Sequence, residues 1–390
     1  MIRELAIFMY LTLFSLLFRI AKLFPIQKKI VFCVSFIENN EFIYNELKKS
    51  SQSYPCVFLT DHKTYSFFKE RISDGDNVIH FSPKHLYSFL KGIYHLATSQ
   101  VIVLDNYFGF LSAIRFKSNV KKLQIWHANG AIKTFGWKDY SIKYRTKGAK
   151  KRFATVYDQF DHILSGSERM SEIYEKAFSA SQDRMMELGI PRTDIFFDNQ
   201  HIHKVKEQLY SKYSAFSGKK IILYAPTFRD NEVETSSIPL DITYLKEHLD
   251  TEFILVIKLH PSIKNTINLK EFEGFVFDLS DYPAMNDILF ITDILITDYS
   301  SIPFEYSFLQ KPMIFYPYDL EEYSQSRGFW KPYDQLVPGP IAYNSVEIVN
   351  LIKESNFDYE KLQNFHKEWN TYSKGKSSKN VASLLHKWLK

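Results

Sequence analysis

Short, nearly continuous apolar runs alternate with longer amphipathic stretches along most of this 390-residue chain. The runs are rich in Val and Ile, which is typical of strands buried on both faces of a parallel sheet. In the first half, strands are predicted at residues 30–36, 56–60, 77–81, 101–105, 122–126 and 162–166. In the second half, they are predicted at residues 220–225, 253–259, 275–278, 294–297 and 312–316.

The stretches between these runs are long enough for helices, so the pattern predicts an α/β chain with right-handed crossovers. Two sets of strands indicate two Rossmann-like lobes with parallel sheets. A polar stretch at residues 198–217 separates the sets. We therefore expect an N-terminal lobe at residues 28–200 and a C-terminal lobe at residues 201–390. Residues 358–390 are predicted to be helical and to pack back on the first lobe.

The N-terminus is almost entirely apolar from Leu5 to Phe18, and basic residues follow it. This run is shorter than the roughly 20 residues that cross a bilayer. No small-residue cleavage site follows it, as one would in a signal peptide. We predict that residues 1–27 form a membrane-associating helix lying in the plane of an anionic membrane surface. The alternative is a first helix buried against the protein.

Net charge indicates which partners to expect, and the cysteines indicate whether metal binding is expected. The net charge of +5 is mildly basic and suits an anionic substrate or membrane surface. No nucleic-acid-binding module is recognisable, so no nucleic-acid partner is expected. Cys33 and Cys56 lie in apolar runs without metal-ligand spacing, which predicts two buried thiols.

Polar residues follow several of the predicted strands, and ligands of parallel α/β sheets bind outside the carboxyl ends of strands. His127 follows one strand and precedes an Asn-Gly turn and Lys133. An exposed imidazole there can act as a general base at neutral pH, with a purely structural histidine as the equal alternative. In the second half, Thr227 and Arg229 offer a hydroxyl and a guanidinium, both suited to phosphate oxygens.

Two further clusters follow strands of the second half. His260 comes directly after one strand, with a local structural role as its alternative. Ser300 and Ser301 follow another and are predicted to open a helix, whose N–H groups can bind an anion. Glu305, one turn later, suits a ribose or glycerol hydroxyl. The alternative is an ordinary helix N-cap with its carboxylate.

Together these clusters predict one cleft with two histidines, basic residues and an anion site. The sequence has neither a GxxxxGK[ST] loop nor a GxGxxG fingerprint, and no His/Cys ligand cluster. We therefore expect catalysis by positioning and electrostatics, without metal or cofactor. A basic run is either a solvated face or a docking site for a membrane or lipid diphosphate. Its members are Lys143, Arg145, Lys147, Lys150, Lys151 and Arg152.

Five motifs, in order, resemble the CDP-glycerol glycerophosphotransferase family of teichoic acid synthesis. They are Trp-His at 126–127, Gly-Ile-Pro-Arg at 189–192, Tyr-Ala-Pro-Thr-Phe-Arg-Asp at 224–230, Lys-Leu-His-Pro at 258–261 and Ile-Thr-Asp-Tyr-Ser-Ser at 296–301. Segments 318–323, 327–329 and 338–340 match as well. The resemblance implies a GT-B-like fold, a CDP-glycerol donor bound mainly by the C-terminal lobe, and CMP as the leaving product.

The same resemblance implies residue roles. The family's two essential histidines fall on His127 and His260. Its donor-binding residues fall on Arg192, Pro226, Thr227, Ser300, Ser301 and Glu305. The family often has Asp at the last of these positions and Trp at that of Phe228.

The segment after His127 separates two branches of the family. The polymerase branch reads Trp-His-Gly-Thr-Pro-Leu-Lys, whereas residues 126–133 here are one residue longer. This form, with residues 104–107 and 258–262, resembles the linkage-unit primase branch (TagB/TarB-like). That branch adds the first glycerol phosphate to the ManNAc-GlcNAc disaccharide on undecaprenyl diphosphate. The resemblance therefore implies a peripheral enzyme on the cytoplasmic side of the cell membrane.

The mechanism implied is attack of an acceptor hydroxyl on the β-phosphorus of CDP-glycerol, with His127 or, if the roles are exchanged, His260 taking the proton. Lys133 is expected to assist the acceptor diphosphate. The alternatives are chain-extending poly(glycerol phosphate) transfer, a GT-B glycosyltransferase that uses a nucleotide sugar, and a non-catalytic membrane scaffold.

Overall fold

The computed structural model describes residues 2–52, 54–229, 238–259 and 269–390. Contacts within the chain group it into two compact units. The first comprises Met1–Ala128, Gly136–Asp194 and Thr371–Lys390, and the second comprises Asn129–Phe135 and Ile195–Asn370. The lobe boundary expected at residues 200 and 201 stays a prediction. The contacts differ from it chiefly in giving residues 129–135 to the second unit and the last 20 residues to the first.

The first unit is built on a seven-stranded parallel sheet. Its strands are β1 (Gln27–Val34), β2 (Cys56–Thr60), β3 (Asn77–His80), β4 (Ser99–Leu104), β5 (Lys121–Gln124), β6 (His162–Leu164) and β7 (Met185–Met186). Their order is β3-β2-β1-β4-β5-β6-β7, and every pair is parallel. The strand order reverses between β1 and β4, so a ligand crevice is expected at the carboxyl ends of these two strands.

The second unit is built on a five-stranded parallel sheet. Its strands are β8 (Lys220–Tyr224), β9 (Phe253–Ile257), β10 (Val276–Asp278), β11 (Ile294–Thr297) and β12 (Met313–Phe315). Their order is β10-β9-β8-β11-β12. Here the order reverses between β8 and β11, which places the switch point beside the ends of those strands.

Helices connect and cover the strands of each sheet. In chain order they are α1 (Ile2–Ala21), α2 (Glu38–Lys48), α3 (His62–Lys69), α4 (Leu86–Thr98), α5 (Lys147–Tyr157), α6 (Glu168–Phe178), α7 (Asn199–Lys212), α8 (Ile242–Leu249), α9 (Met285–Ile291), α10 (Ile302–Tyr306), α11 (Leu320–Arg327), α12 (Tyr333–Leu336), α13 (Ser345–Glu354), α14 (Tyr359–Trp369) and α15 (Ser377–Leu389). The last helix packs into the apolar core of the first unit, with Val381 and Leu385 fully buried.

The α/β class with two parallel sheets is confirmed. Each predicted strand is present, and most end one or two residues earlier than predicted. The two-residue strand β7 was not predicted, since two residues carry no pattern. Cys33 and Cys56 are buried free thiols, as predicted.

Helix α1 packs on the first unit by one face only. Phe14 and Phe18 are buried, and Phe14 stacks on Phe110 with ring centroids 5.1 Å apart. The opposite face is apolar and exposed, at Leu5, Phe8, Met9, Leu13, Leu16 and Ile20. The helix is longer than the predicted run and is long and apolar enough, by length and composition, to cross a membrane. The alternative prediction, a first helix buried against the protein, is therefore wrong for the exposed face of α1.

Candidate functional site

His127 follows β5 at the carboxyl edge of the first sheet and is held on two sides. Its Nδ1 lies 3.3 Å from the backbone carbonyl oxygen of Asp105, the residue after β4. A carbonyl can only accept, so this contact places the proton on Nδ1 and leaves the Nε2 lone pair as the acceptor. The ring stacks on Phe36, with centroids 4.2 Å apart and planes at 17°.

The surroundings of His127 keep the imidazole neutral. Burial lowers its pKa to about 4, and the positive charge of Arg192 acts in the same direction. The hydrogen bond to the Asp105 carbonyl opposes this shift but does not cancel it. At neutral pH the side chain is therefore in the form that can accept a proton.

Trp126, directly before His127, adopts an uncommon backbone conformation. Its φ is +49°, in the left-handed region that bulky residues rarely occupy. In the described part of the chain, the other non-glycine residues with positive φ directly follow helices, where this conformation is ordinary. They are Ser179, Gln310 and Ser355. Strain of this kind persists only where its surroundings impose it, and it clusters at functional sites.

Buried amides impose the conformation of Trp126. Its N–H donates to the Gln124 side-chain oxygen at 2.9 Å, and its carbonyl accepts from the Asn39 amide at 3.2 Å. The Asn39 Oδ1 in turn accepts the N–H of Arg192 at 3.1 Å. Asn39 thus ties the strand end that carries His127 to the segment that carries Arg192.

Arg192 lies beside His127 in the same unit. Its Nη1 donates to the carbonyl oxygen of His127 at 3.0 Å. Gly189, at the start of the Gly-Ile-Pro-Arg motif, has φ +80°, and a Cβ there would come within 2.6 Å of the Tyr372 carbonyl oxygen. Glycine is therefore required for the turn that delivers Arg192.

Asp105 is a site residue that the sequence reasoning missed. Its buried carboxylate accepts three hydrogen bonds of 2.8 Å. The donors are the backbone N–H groups of Ser35 and Phe36 and the side-chain amide of Asn40. It therefore holds the ring that stacks on His127, while its own carbonyl holds Nδ1. Burial raises its pKa to about 7, and the three N–H donors limit the rise. The sequence did carry a signal for Asp105, because this acidic residue directly follows an apolar strand beside the switch point of the sheet.

In the second unit, Pro226 and Thr227 follow β8 at the switch point. The Thr227 N–H donates to Asp298 Oδ1 at 2.8 Å. Its hydroxyl oxygen is buried and has no hydrogen-bond partner among the residues that the structure describes. Buried hydroxyls are nearly always satisfied, so an orphan at this position favours a ligand oxygen as its partner.

Arg229 is largely occupied by protein acceptors. Its guanidinium pairs with Asp298 at 2.9 Å and with Asp319 at 2.8 Å, and it also donates to the Thr227 carbonyl. Three tyrosine rings surround it at 4.9–5.1 Å. This arrangement fixes the loop after β8 to the end of β11. Direct contact of Arg229 with phosphate stays a prediction. The bonds of its guanidinium favour a role in positioning Thr227.

Ser300 and Ser301 follow β11 on the other side of the switch point. Helix α10 begins directly after them, as predicted, and the Ile302 N–H donates to the Ser300 hydroxyl at 3.2 Å. The helix has only five residues, so it offers no large helix dipole, and anion binding by the two serine hydroxyls stays a prediction. Glu305 lies in this helix and is buried.

Lys133 belongs to the second unit. It forms an antiparallel bridge with Phe329, and its ammonium lies 6.0 Å from the Tyr323 ring centroid. The same ring lies 4.9 Å from the Arg229 guanidinium. Lys133 is therefore on the side of the Thr227 loop. The expected contact of Lys133 with the acceptor diphosphate stays a prediction. Its neighbours instead favour a contact with the donor.

His260 lies outside the described residues, so its place at the site stays a prediction. Lys258, two residues earlier, is described: its ammonium donates to the backbone carbonyls of Ser280 and Tyr282. The convergence of all the predicted residues on one cleft also stays a prediction.

Comparison with known proteins identifies the family. The profile of the CDP-Glycerol:Poly(glycerophosphate) glycerophosphotransferase family matches residues 16–387. The chain is 36% identical to the teichoic acid glycerol-phosphate primase of Bacillus subtilis (strain 168), over 92% of each protein. It is 33% identical to the teichoic acid poly(ribitol-phosphate) polymerase of Bacillus spizizenii (strain ATCC 23059 / NRRL B-14472 / W23), over 96% of this chain and 59% of that protein.

A solved structure of the wall teichoic acid polymerase TagF superposes with a TM-score of 0.78 at 24% identity, over 93% of this chain and 90% of that one. This likeness confirms the GT-B-like fold. The family match and the relatives confirm a glycerophosphotransferase. The chain therefore belongs to the CDP-glycerol:poly(glycerophosphate) glycerophosphotransferase family.

Proposed function

We propose that the protein is a teichoic acid primase. It transfers glycerol phosphate from CDP-glycerol to a ManNAc-GlcNAc disaccharide carried on undecaprenyl diphosphate, and it releases CMP. The identity to a glycerol-phosphate primase, 36% against 33% for a polymerase, favours this activity over chain extension. The observation that carries the chemistry is a neutral His127 with Nε2 available, held at the strained end of β5.

In the proposed step, a hydroxyl of the disaccharide attacks the β-phosphorus of CDP-glycerol. A new O–P bond forms, and the bond from phosphorus to the CMP oxygen breaks with its electron pair remaining on CMP. His127 Nε2 takes the hydroxyl proton, which a neutral imidazole can do without first losing one of its own. Asp105 and Phe36 keep the ring in this orientation.

Residues of the second unit are proposed to hold the donor. The orphan hydroxyl of Thr227 and the hydroxyls of Ser300 and Ser301 can donate to diphosphate oxygens. Lys133 supplies positive charge on the same side as Thr227, and His260 is proposed to act with them. Because CMP leaves as an anion, these donors would stabilise the charge that develops on it.

The membrane is the proposed location of the acceptor. The exposed apolar face of α1 would lie among the lipid chains while its buried face stays on the protein. Arg19 and Lys28 follow the apolar face and suit an anionic headgroup layer. We propose that the enzyme is peripheral, on the cytoplasmic side, where a nucleotide donor is available.

Nucleotide release tests the proposed donor and acceptor. Purified full-length protein is incubated with CDP-glycerol or with UDP-N-acetylglucosamine, each with and without a synthetic lipid-linked disaccharide. We expect CMP release that depends on the disaccharide, and no UDP release. Acceptor-dependent UDP release would instead support a nucleotide-sugar glycosyltransferase, and no release of either nucleotide would support a scaffold.

A further inference from the structure

A cavity of about 550 Å³ lies in the first unit, and His127 is not among its lining residues. Its walls come from α1, from the turn at Gly109–Ala113, and from the start of α5 with the loop before it. This volume lies within the range of small-molecule sites. None of the roles proposed above uses it.

One part of the cavity wall is cationic. Arg3, Arg145 and Arg152 line it against a single acidic residue, Glu4. Glu4 is held by Arg152 through two bonds of 3.0 and 3.1 Å, so its negative charge is already compensated. Two positive charges therefore remain in excess. The planar guanidinium of arginine matches phosphate oxygens in a bidentate geometry.

The start of α5 adds polar groups beside these arginines. Thr146 is the N-cap of this 11-residue helix and lines the cavity together with Ala149. The Ala149 N–H already donates to the Thr146 hydroxyl at 3.1 Å, so the group that the helix start adds to the cavity is the Thr146 O–H, which can donate to an anion. The Arg145 guanidinium lies 4.5 Å from the Phe153 ring centroid, so aromatic packing restricts it on the cavity side.

Other walls of the cavity are apolar. Ile7 and Leu11 of α1, with Phe110 and Phe153, line it. Ile7 and Leu11 are four residues apart, so they lie on one face of α1. The exposed face with Leu5, Phe8 and Met9 lies beside them on the same helix. The cavity thus joins a cationic site to an apolar surface suited to lipid chains.

We propose that this cavity binds the phosphate-bearing end of a single-chain lipid. The phosphate or diphosphate lies against Arg3 and Arg145, and the first segment of the chain lies against Ile7 and Leu11. A free nucleotide or sugar phosphate would leave the apolar wall without a partner. A purely apolar ligand would leave Arg3 and Arg145 without an anion. The inference rests on the proposed function only in taking the diphosphate lipid of the acceptor as the source of this ligand.

Direct binding tests this inference with the full-length protein and soluble ligands. Titration calorimetry compares farnesyl diphosphate, inorganic diphosphate and dihexanoyl-phosphatidylglycerol below its micelle concentration. We expect farnesyl diphosphate to bind at least about tenfold more tightly than either of the others. Equal binding of inorganic diphosphate would overturn the role of the apolar wall. Equal or tighter binding of the phosphatidylglycerol would assign the cavity to bilayer phospholipid and overturn the single-chain assignment.

Matched variants separate the two walls. Arg145→Ala is expected to weaken farnesyl diphosphate at least about tenfold, whereas Lys147→Ala, with the same charge loss outside the cavity, leaves it unchanged. Ile7→Ser is expected to weaken farnesyl diphosphate but not inorganic diphosphate, with Leu5→Ser as its control. An unchanged dissociation constant in both cavity variants would refute the inference. Acceptor-dependent CMP release by the wild-type protein is scored separately, so the proposed function can succeed where this inference fails.

Discussion

At the scale of single residues, the reaction proposed here depends on one imidazole nitrogen. His127→Ala removes the proton acceptor, and we expect acceptor-dependent CMP release to fall by more than about a hundredfold. We expect only a modest fall in melting temperature, because the ring contributes one long hydrogen bond and one stack, on Phe36. His203→Ala, at an exposed histidine of α7, is the matched control and should keep full activity. Turnover of His127→Ala close to wild type would exclude this base.

The protonation state of His127 gives a second prediction. Burial lowers its pKa to about 4, whereas a free histidine titrates near 6.5. Since the neutral form is the base, the fraction of competent enzyme should be constant at neutral pH and fall only as the pH drops through about 4. An NMR titration of the imidazole nitrogens, assigned with His127→Ala, measures this pKa directly. A midpoint near 6.5 would contradict the proposed environment.

Asp105 is expected to act through His127 as a positioning residue. Asp105→Asn replaces a carboxylate oxygen that accepts N–H bonds with an NH2 group that cannot. We expect about 1–3 kcal/mol lower stability and a fall in kcat of about tenfold or more, with little change in KM for CDP-glycerol. A merely structural role would leave the His127 pKa unchanged, whereas loss of the Phe36 stack should raise it. Asp61→Asn, at the surface cap of α3, is the control.

Some features of single residues could be predicted from the sequence, and others could not. The positions of His127, Thr227 and Ser300 after strands could be predicted, because apolar runs reveal strand ends. The left-handed conformation of Trp126 could not, because no local propensity favours it. It arises from bonds to Gln124 and Asn39, the latter far away along the chain.

At the scale of elements, the strands were predicted almost fully, because strands buried on both faces carry the strongest sequence pattern. The Asn-Gly segment after His127, which was predicted to be a turn, is tightly packed. Asn129 is buried and bonded to Asn370 at 2.8 Å, and a Cβ on Gly130 would lie 2.5 Å from the Phe304 ring. Glycine here permits close packing, a tertiary requirement that the dipeptide alone does not reveal.

The exposed face of helix α1 is expected to bind anionic membranes. Phe8 and Leu16 lie on its exposed face, 66% and 56% exposed, so replacing them should not disturb the protein core. The double variant Phe8→Ser/Leu16→Ser should bind anionic vesicles at least about tenfold more weakly, because each side chain contributes about 1.5–3 kcal/mol when buried in lipid. Vesicle sedimentation measures this. Val346→Ser, at an exposed apolar residue of α13, should sediment like the wild type, and equal sedimentation of the double variant would contradict a membrane role for this face.

At the scale of the whole molecule, the chain divides chemical roles between its two units. The first carries the proposed base, the helix proposed to face the membrane and the cavity proposed to bind a lipid phosphate. The second carries the proposed donor-binding hydroxyls. The two sheets and their approximate extents could be predicted from the order of apolar runs. The assignment of residues 129–135 to the second unit could not, because this segment bonds to residues far away in sequence, as in the bridge between Lys133 and Phe329.

The number of glycerol phosphates added per acceptor tests the proposed activity most directly. Full-length protein is incubated with excess CDP-glycerol and a synthetic disaccharide on a lipid diphosphate, and the products are analysed by mass spectrometry. A primase should shift the acceptor mass by one glycerol phosphate, and the shift should remain at one unit on long incubation. A ladder of added units would instead reveal a chain-extending transferase, and an unchanged acceptor mass would exclude transfer to this class of acceptor.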